Sequence, residues 1–274
     1  MKKIIFILIL FFPLISNAKN CRKGIPCGNT CISANKTCHI GTYSDYNNRK
    51  LTQSKTTQVN STQKKQNFND AKNKLIKIYK DNPITKTFYC GCDFSFLGKK
   101  GIVDLASCGY EVRKNENRAS RIEWEHVMPA ENFGRHLKCW IEGGRKGCQK
   151  DTTFNKMEGD MHNLQPAIGE VNGDRSNYRY SQFTKKFSQY GQCKVATDFK
   201  SRKFQPREDS YGTIARTYLY MSYKYGINLS KQDRQLMVAW DKKNPPTFWE
   251  CERNKIIKNL QGNDNPFISN KCLF

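Results

Sequence analysis

No stretch of this 274-residue chain offers the roughly 20 consecutive apolar residues that a membrane-spanning helix requires. Its one long apolar run, Ile4 to Ile15, follows a basic Met1-Lys2-Lys3 start and leads into Ser16-Asn17-Ala18. That is the pattern of a secretory signal peptide over residues 1–18. The other reading, an uncleaved anchor, asks a short run to cross the bilayer, and Asn20 before Cys21 does not suit lipoprotein processing. The expectation is a soluble exported protein, periplasmic or secreted, with no stable membrane insertion once the signal is removed.

The paired C-x₂-C spacing of a structural zinc site is missing from Cys90-Gly91-Cys92 and from the scattered Cys108, Cys139, Cys148, Cys193, Cys251 and Cys272. All 12 cysteines lie after the signal, an even number in a chain bound for an oxidising compartment, so disulfides are expected. Their pairing is not legible from spacing. No internal repeat is evident.

Acidic residues are scarce, with 24 Asp and Glu against 47 Lys and Arg and a formal net charge of +23. Loss of Lys2 and Lys3 with the signal leaves 45 basic and 24 acidic residues, or +21 on the mature chain. Such an excess attracts polyanions over a Debye length of about 8 Å at physiological salt, and nucleic acid is the densest common polyanion. Charge alone does not choose among nucleic acid, an anionic membrane surface and a cell-wall polymer.

Residues 19–40 hold Cys21, Cys27, Cys31 and Cys38 with Gly24, Pro26 and Gly28 between them, too few apolar groups for a core, and read as a small cysteine knot. Residues 41–66 hold almost nothing large and apolar after Tyr46 and read as a polar flexible linker. A globular domain is expected over 67–274. Its first helix spans Asn69 to Tyr79, with Leu75, Ile78 and Tyr79 on one face. Thr87–Phe94 and Ile102–Leu105 read as short extended pieces. Helices are expected over Ile214–Tyr225 before Gly226, from the capping pattern Ser230-Lys231-Gln232-Asp233 to Asp241, and over Thr247–Asn259. Trp240 and Trp249 are read as core, the alternative being base stacking.

The chemistry is concentrated in Arg121 to Ala130 and Asp160 to Leu164. Arg121 to Val127 has strand character, and strict alternation sends Glu125 and His126 to opposite faces unless the strand ends there, as Pro129 suggests. A carboxylate suits Mg²⁺, and a neighbouring imidazole with a pKa near neutrality can take a proton from water. Asp151 to His162 reads as a helix, with Asn163 either its C-terminal cap or a hard-metal ligand. Arg145, in the glycine-rich loop Gly143–Cys148, is either a solvated surface cation or a support for charge on a phosphate. Asn172 and Arg175, in the polar loop Asn172–Asn177, are candidate phosphate contacts.

Taken together, Glu123–Ala130, Gly143–Lys146, Asp160–Ala167, Gly169–Asn177 and Trp249–Asn254 closely resemble the bacterial endonuclease I family of periplasmic or secreted non-specific nucleases. The resemblance covers about Asn67 to the C-terminus, with the motifs in the family's order. It implies an α+β fold: one helix-rich nuclease domain around a ββα-metal finger, stapled by disulfides, with a small cysteine-rich N-terminal extension outside the match. It implies a monomeric enzyme cutting DNA, and RNA, without sequence preference to leave 5′-phosphates. By motif position His126 is the general base, Glu125 and Asn163 hold one Mg²⁺, replaceable by Mn²⁺ or Ca²⁺, and Arg145 supports the scissile phosphate. A non-catalytic cationic protein that coats nucleic acid or anionic surfaces is the rival reading; it has no use for Glu125, His126 and Asn163. A ribonuclease-biased member of the family is a second.

Overall fold

The computed structural model describes residues 25–27, 30–33, 67–82, 86–183 and 187–272. The expected signal peptide, and most of the expected knot and linker, lie outside the described residues. The chain divides into two compact units, Met1–Thr62 and Gln63–Phe274. In the first, strands β1 (Ile25–Cys27) and β2 (Thr30–Ile32) pair antiparallel.

The second unit is α+β. Helix α1 (Phe68–Asp81) starts where Asn67 accepts a hydrogen bond from the Asp70 N–H, and it buries Leu75, Ile78 and Tyr79 as the periodicity predicts. A hairpin of β3 (Asp93–Leu97) and β4 (Lys100–Asp104) follows, then α2 (Glu116–Ala119) and β5 (Ile122–His126). Residues 88–90 form a turn before β3, so the extended piece expected over Thr87–Phe94 is confined to its end. Short helices α3 (Ala130–Gly134), α4 (Lys138–Gly147) and α5 (Thr152–Glu158) lead through a 3₁₀ turn at Met161–Asn163 into β6 (Leu164–Ile168). β6 pairs antiparallel with β5, His126 opposite Leu164, and runs directly into α6 (Gly169–Arg175).

This β5–β6–α6 unit is the ββα arrangement, but its helix is not the expected one. The helix predicted over Asp151–His162 stops at Glu158, and the segment expected as a polar loop, Asn172–Asn177, lies largely in α6. Gly173 weakens the helical signal, yet a Cβ there would collide with the Arg118 guanidinium. β6 showed no alternation because all five of its residues are buried, and Pro166 hides it further.

Strands β7 (Arg179–Tyr180), β8 (Ala196–Asp198) and β9 (Lys203–Gln205) form a three-stranded sheet. Helices α7 (Tyr211–Tyr225), α8 (Lys231–Lys243), α9 (Phe248–Gln261) and α10 (Pro266–Ser269) complete the unit. The predicted stops and starts hold: Gly226 is left-handed at the end of α7, and Ser230 and Thr247 cap α8 and α9. Trp240 is buried, stacked on Tyr211 with ring centroids 4.0 Å apart, and Trp249 packs on Tyr79. Disulfides Cys90–Cys193, Cys92–Cys108, Cys139–Cys148 and Cys251–Cys272 consume every described cysteine from Cys90 onward.

Candidate active site

Glu123 and Glu125 are two residues apart on β5 and so share a face. The strand ends at His126, and the chain turns into α3 with Pro129 as its N-cap. That ending releases His126 from strand alternation. Glu123, Glu125, His126, Arg145 and Asn172 all line one cavity of about 980 Å³.

His126 is held edge and face. Its ring lies 4.8 Å from that of Phe68, and its Nε2 is 2.8 Å from the backbone carbonyl of Glu158. A carbonyl only accepts, so Nε2 is the protonated nitrogen and Nδ1 keeps its lone pair. Burial, followed by the positive charge of Arg145, pushes the imidazole pKa down to about 3 against the pull of the Glu158 carbonyl. The ring is therefore a neutral base throughout the physiological range.

Glu158 serves a second purpose. Its carboxylate Oε1 accepts from Arg145 Nε at 2.6 Å, so one residue positions both His126 and Arg145. The loop expected around Arg145 is the last turn of α4, broken where Gly144 adopts φ 59°, ψ −154°, a conformation open only to glycine. The Cys139–Cys148 disulfide closes this segment. Among the described residues Arg145 hydrogen-bonds through Nε alone, and its half-exposed guanidinium, lying over the Phe68 ring at 5.6 Å, keeps its two terminal amines for a ligand.

Glu125 is 2% exposed. Its Oε1 accepts from Tyr89 Oη and from Arg175 Nη1, both at 2.6 Å, while Oε2 has no donor among the described residues. Burial pushes its pKa above the usual carboxylate range, opposed first by Arg175 and then by Tyr89. Compensation of the buried charge is thus incomplete, and an oxygen remains for a further cation.

Two expected site residues sit elsewhere. The Asn163 amide is fully buried and clasps the Met128 backbone, accepting from its N–H at 2.7 Å and donating to its carbonyl at 3.0 Å. It is neither in the cavity wall nor a helix cap; its oxygen is already used in joining β6 to the end of β5. Arg175, expected as a phosphate contact, is 1% exposed. It binds Glu125 and the carbonyls of His126 and Val127, at 3.0 and 2.8 Å, and lies over the Tyr180 ring. Burial disfavours its charge, but Glu125 and its aromatic neighbours outweigh that and raise its pKa. Neither placement is available to a ligand in solution.

Asn172 does face the cavity. Its Nδ2 donates to Glu123 Oε2 at 3.0 Å, which fixes the amide and leaves the carbonyl oxygen free to accept. Glu123 itself is saturated: Arg118, Arg121 and Asn172 surround it, and despite burial they hold its pKa below the usual value. Sequence reasoning missed Glu123 as the anchor of Asn172, and Phe68 as the ring that shields His126. Phe68 was detectable: seven residues before Leu75, it extends the apolar stripe of α1 into its first turn.

Among the described residues no group of three or more His, Cys, Asp or Glu is arranged to hold a metal. The open donors on β5 and α6 are one carboxylate oxygen of Glu125 and the amide oxygen of Asn172, and Glu131 brings a further carboxylate to the cavity wall, where its Oε2 accepts from Asn177. Few hard protein ligands and ample room suit an ion that keeps most of its waters, as Mg²⁺ does.

The family described as Endonuclease I matches residues 42–272, starting earlier than the resemblance from Asn67 had suggested. A periplasmic deoxyribonuclease of Aeromonas hydrophila is 56% identical over 211 residues, covering 77% of this chain and 88% of its own. An extracellular deoxyribonuclease of Aeromonas hydrophila is 57% identical over 208 residues, covering 76% and 91%. Endonuclease-1 of Buchnera aphidicola subsp. Acyrthosiphon pisum is 52% identical over 207 residues, covering 76% and 82%.

Proposed function

We propose, from the premise that this chain belongs to the endonuclease I family, how the cavity lined by Glu125, His126, Arg145 and Asn172 cuts nucleic acid. The chain is an exported endonuclease, periplasmic or secreted, that hydrolyses phosphodiester bonds in DNA without sequence preference. RNA falls within the same reading, because the cavity offers groups that grip a phosphate and none committed to a base edge. One observation carries the mechanism: a neutral His126, its Nδ1 lone pair unclaimed, shares a cavity with two open oxygen donors and with Arg145.

His126 Nδ1 takes the proton from a water aligned with phosphorus, while its Nε2–H stays anchored on the Glu158 carbonyl. Arg145 donates through its terminal amines to the phosphate oxygens as charge builds there, and Glu158 keeps it aimed. Glu125 and Asn172 would hold a divalent ion, Mg²⁺ by the hardness and number of the donors. Such an ion, when bound, would supply positive charge to the scissile phosphate and its leaving oxygen. Arg175 and Tyr89 act behind it by fixing the Glu125 carboxylate.

Supercoiled plasmid incubated with oxidised protein and Mg²⁺ is expected to be nicked, with 5′-phosphate ends, and a chelator to stop it. Retardation of the plasmid without cleavage in any divalent ion would favour a binding protein instead.

The ligand assignment separates two asparagines. Asn172→Ala is expected to raise the Mg²⁺ concentration for half-maximal cleavage by about tenfold or more, with the melting temperature nearly unchanged. Asn163→Ala strands two buried backbone groups of Met128, and is expected to cost about 1–3 kcal/mol while leaving the Mg²⁺ titration alone. A metal titration and a thermal melt on each variant check this. The reverse pattern would restore Asn163 as the ligand.

The depressed pKa of His126 also has a kinetic signature. Ordinary histidines gain a proton near pH 6.5, but here the neutral base persists to about pH 3. The kcat/KM profile is therefore expected to stay flat from pH 7.5 through the ordinary histidine range of about 6.5. A half-maximal point at that pH, absent in a variant lacking the imidazole, would show a solvated ring in the working enzyme.

A further inference from the structure

A second cavity, of about 780 Å³, adjoins the first, and the two share Phe68, Asn69 and Arg145. Their chemistry differs. The first has open oxygen donors, from Glu125 and Asn172. The second has Lys146 and Lys150 in its wall beside Arg145, and among its described lining residues the one carboxylate, Glu158, is already paired with Arg145. Both lysines are exposed, and neither forms an ion pair among the described residues. A cleft with cations and no open acid repels a metal ion and holds an anion.

The cleft is also built in advance. The Cys139–Cys148 disulfide ties the first turn of α4 to the turn that carries Lys150, closing the stretch of chain that carries Arg145 and Lys146. Asp151 then caps α5 by accepting from the Phe154 N–H at 2.7 Å, so Lys150 stands on a fixed backbone.

We propose that this second cavity is a phosphate subsite: the strand being cut passes over Arg145 and continues into the cleft, where Lys146 and Lys150 hold the neighbouring phosphodiester. Arg145 is then the saddle between two phosphates, reaching the scissile one with its terminal amines. The inference rests on the nuclease reading of the first cavity and adds what lies beside it. It assigns the strand a direction of exit that the reacting phosphate alone does not require.

The test is the salt dependence of binding. In a His126→Ala background, which cannot consume the probe, a fluorescein-labelled DNA duplex is titrated in EDTA at several salt concentrations. The K146Q/K150Q pair is compared with K242Q/K243Q, which removes the same charge from exposed positions on α8 that line neither cavity. Each phosphate contact contributes about 0.9 to the slope of log K against log salt, so the Lys146/Lys150 double variant should lose about 1.8. Affinity near 0.15 M salt should fall by roughly tenfold or more, with the α8 control close to the parent. Equal loss in the two double variants, or a slope unchanged in both, overturns the subsite. Failure of the nuclease reading is seen separately: the wild-type chain then fails to nick plasmid in any divalent ion, whatever the slopes.

Discussion

Replacing His126 by alanine is expected to lower kcat/KM on plasmid DNA by about two to four orders of magnitude, the usual contribution of a positioned general base. Neither carboxylate of β5 can take over. Glu123 is saturated by two arginines and Asn172, and Glu125 has one oxygen committed to Arg175 and Tyr89. Binding of DNA should persist, because the cations that meet phosphate remain. The fold should persist as well, though weakened: the variant loses the contact with Phe68 and leaves the Glu158 carbonyl without its donor, about 1–3 kcal/mol.

The stability difference has a definite pH dependence. The folded imidazole protonates only near pH 3, the unfolded one near the ordinary value, so acidification below about 6.5 drives protons onto the unfolded chain first. The wild type therefore carries a stability contribution that is full above about pH 6.5 and shrinks as pH falls toward 3; the alanine variant does not. Melting curves at pH 7.5 and 5 should show the gap between the two proteins narrowing. Activity equal to wild type in His126→Ala would remove the general base from the mechanism altogether.

Arg175→Ala is expected to cost about 3–5 kcal/mol of stability, the range for breaking one side of a buried ion pair. For a domain of this size that lowers the melting temperature by roughly 6–20 °C. The side chain leaves behind a buried Glu125 carboxylate and two carbonyls, of His126 and Val127, at the very end of β5. Cleavage should fall too, since an uncompensated Glu125 takes up a proton and loses its affinity for a divalent ion. What separates this from a phosphate contact is the salt slope of DNA binding. A buried arginine leaves the slope untouched, whereas a phosphate ligand would reduce it by about 0.9. Thermal melts with a salt-dependent binding titration measure both, and a stable variant with a shallower slope would put Arg175 back on the nucleic acid.

Much of the helical frame was legible in the sequence, because its signals are local. Leu75, Ile78 and Tyr79 recur at helical spacing, Gly226 permits the left-handed turn that ends α7, and Ser230 and Thr247 supply the oxygens that cap α8 and α9. β6 and α6 were illegible for equally physical reasons. A strand covered on both faces has no alternation, and a short helix containing Asn172, Gly173 and Asp174 looks like a turn until Arg118 is packed against its glycine.

The sequence by itself determined the kind of protein this is: the order of its motifs, the cationic excess, the even set of cysteines and the presence of a carboxylate beside an imidazole before Pro129. Those are properties of residue type and short spacing. Only the tertiary structure decided which groups meet. It turned Asn163 inward onto Met128 and Asn172 outward beside Glu123, buried Arg175 under Glu125 while leaving Arg145 open, and set the Glu158 carbonyl against Nε2 so that Nδ1 of His126 keeps its lone pair. Each choice depends on a partner between 13 and 50 residues away in the chain. An amide or a guanidinium has the same chemistry wherever it stands; burial and the partner it finds across the fold decide whether that chemistry holds the protein together or faces the substrate.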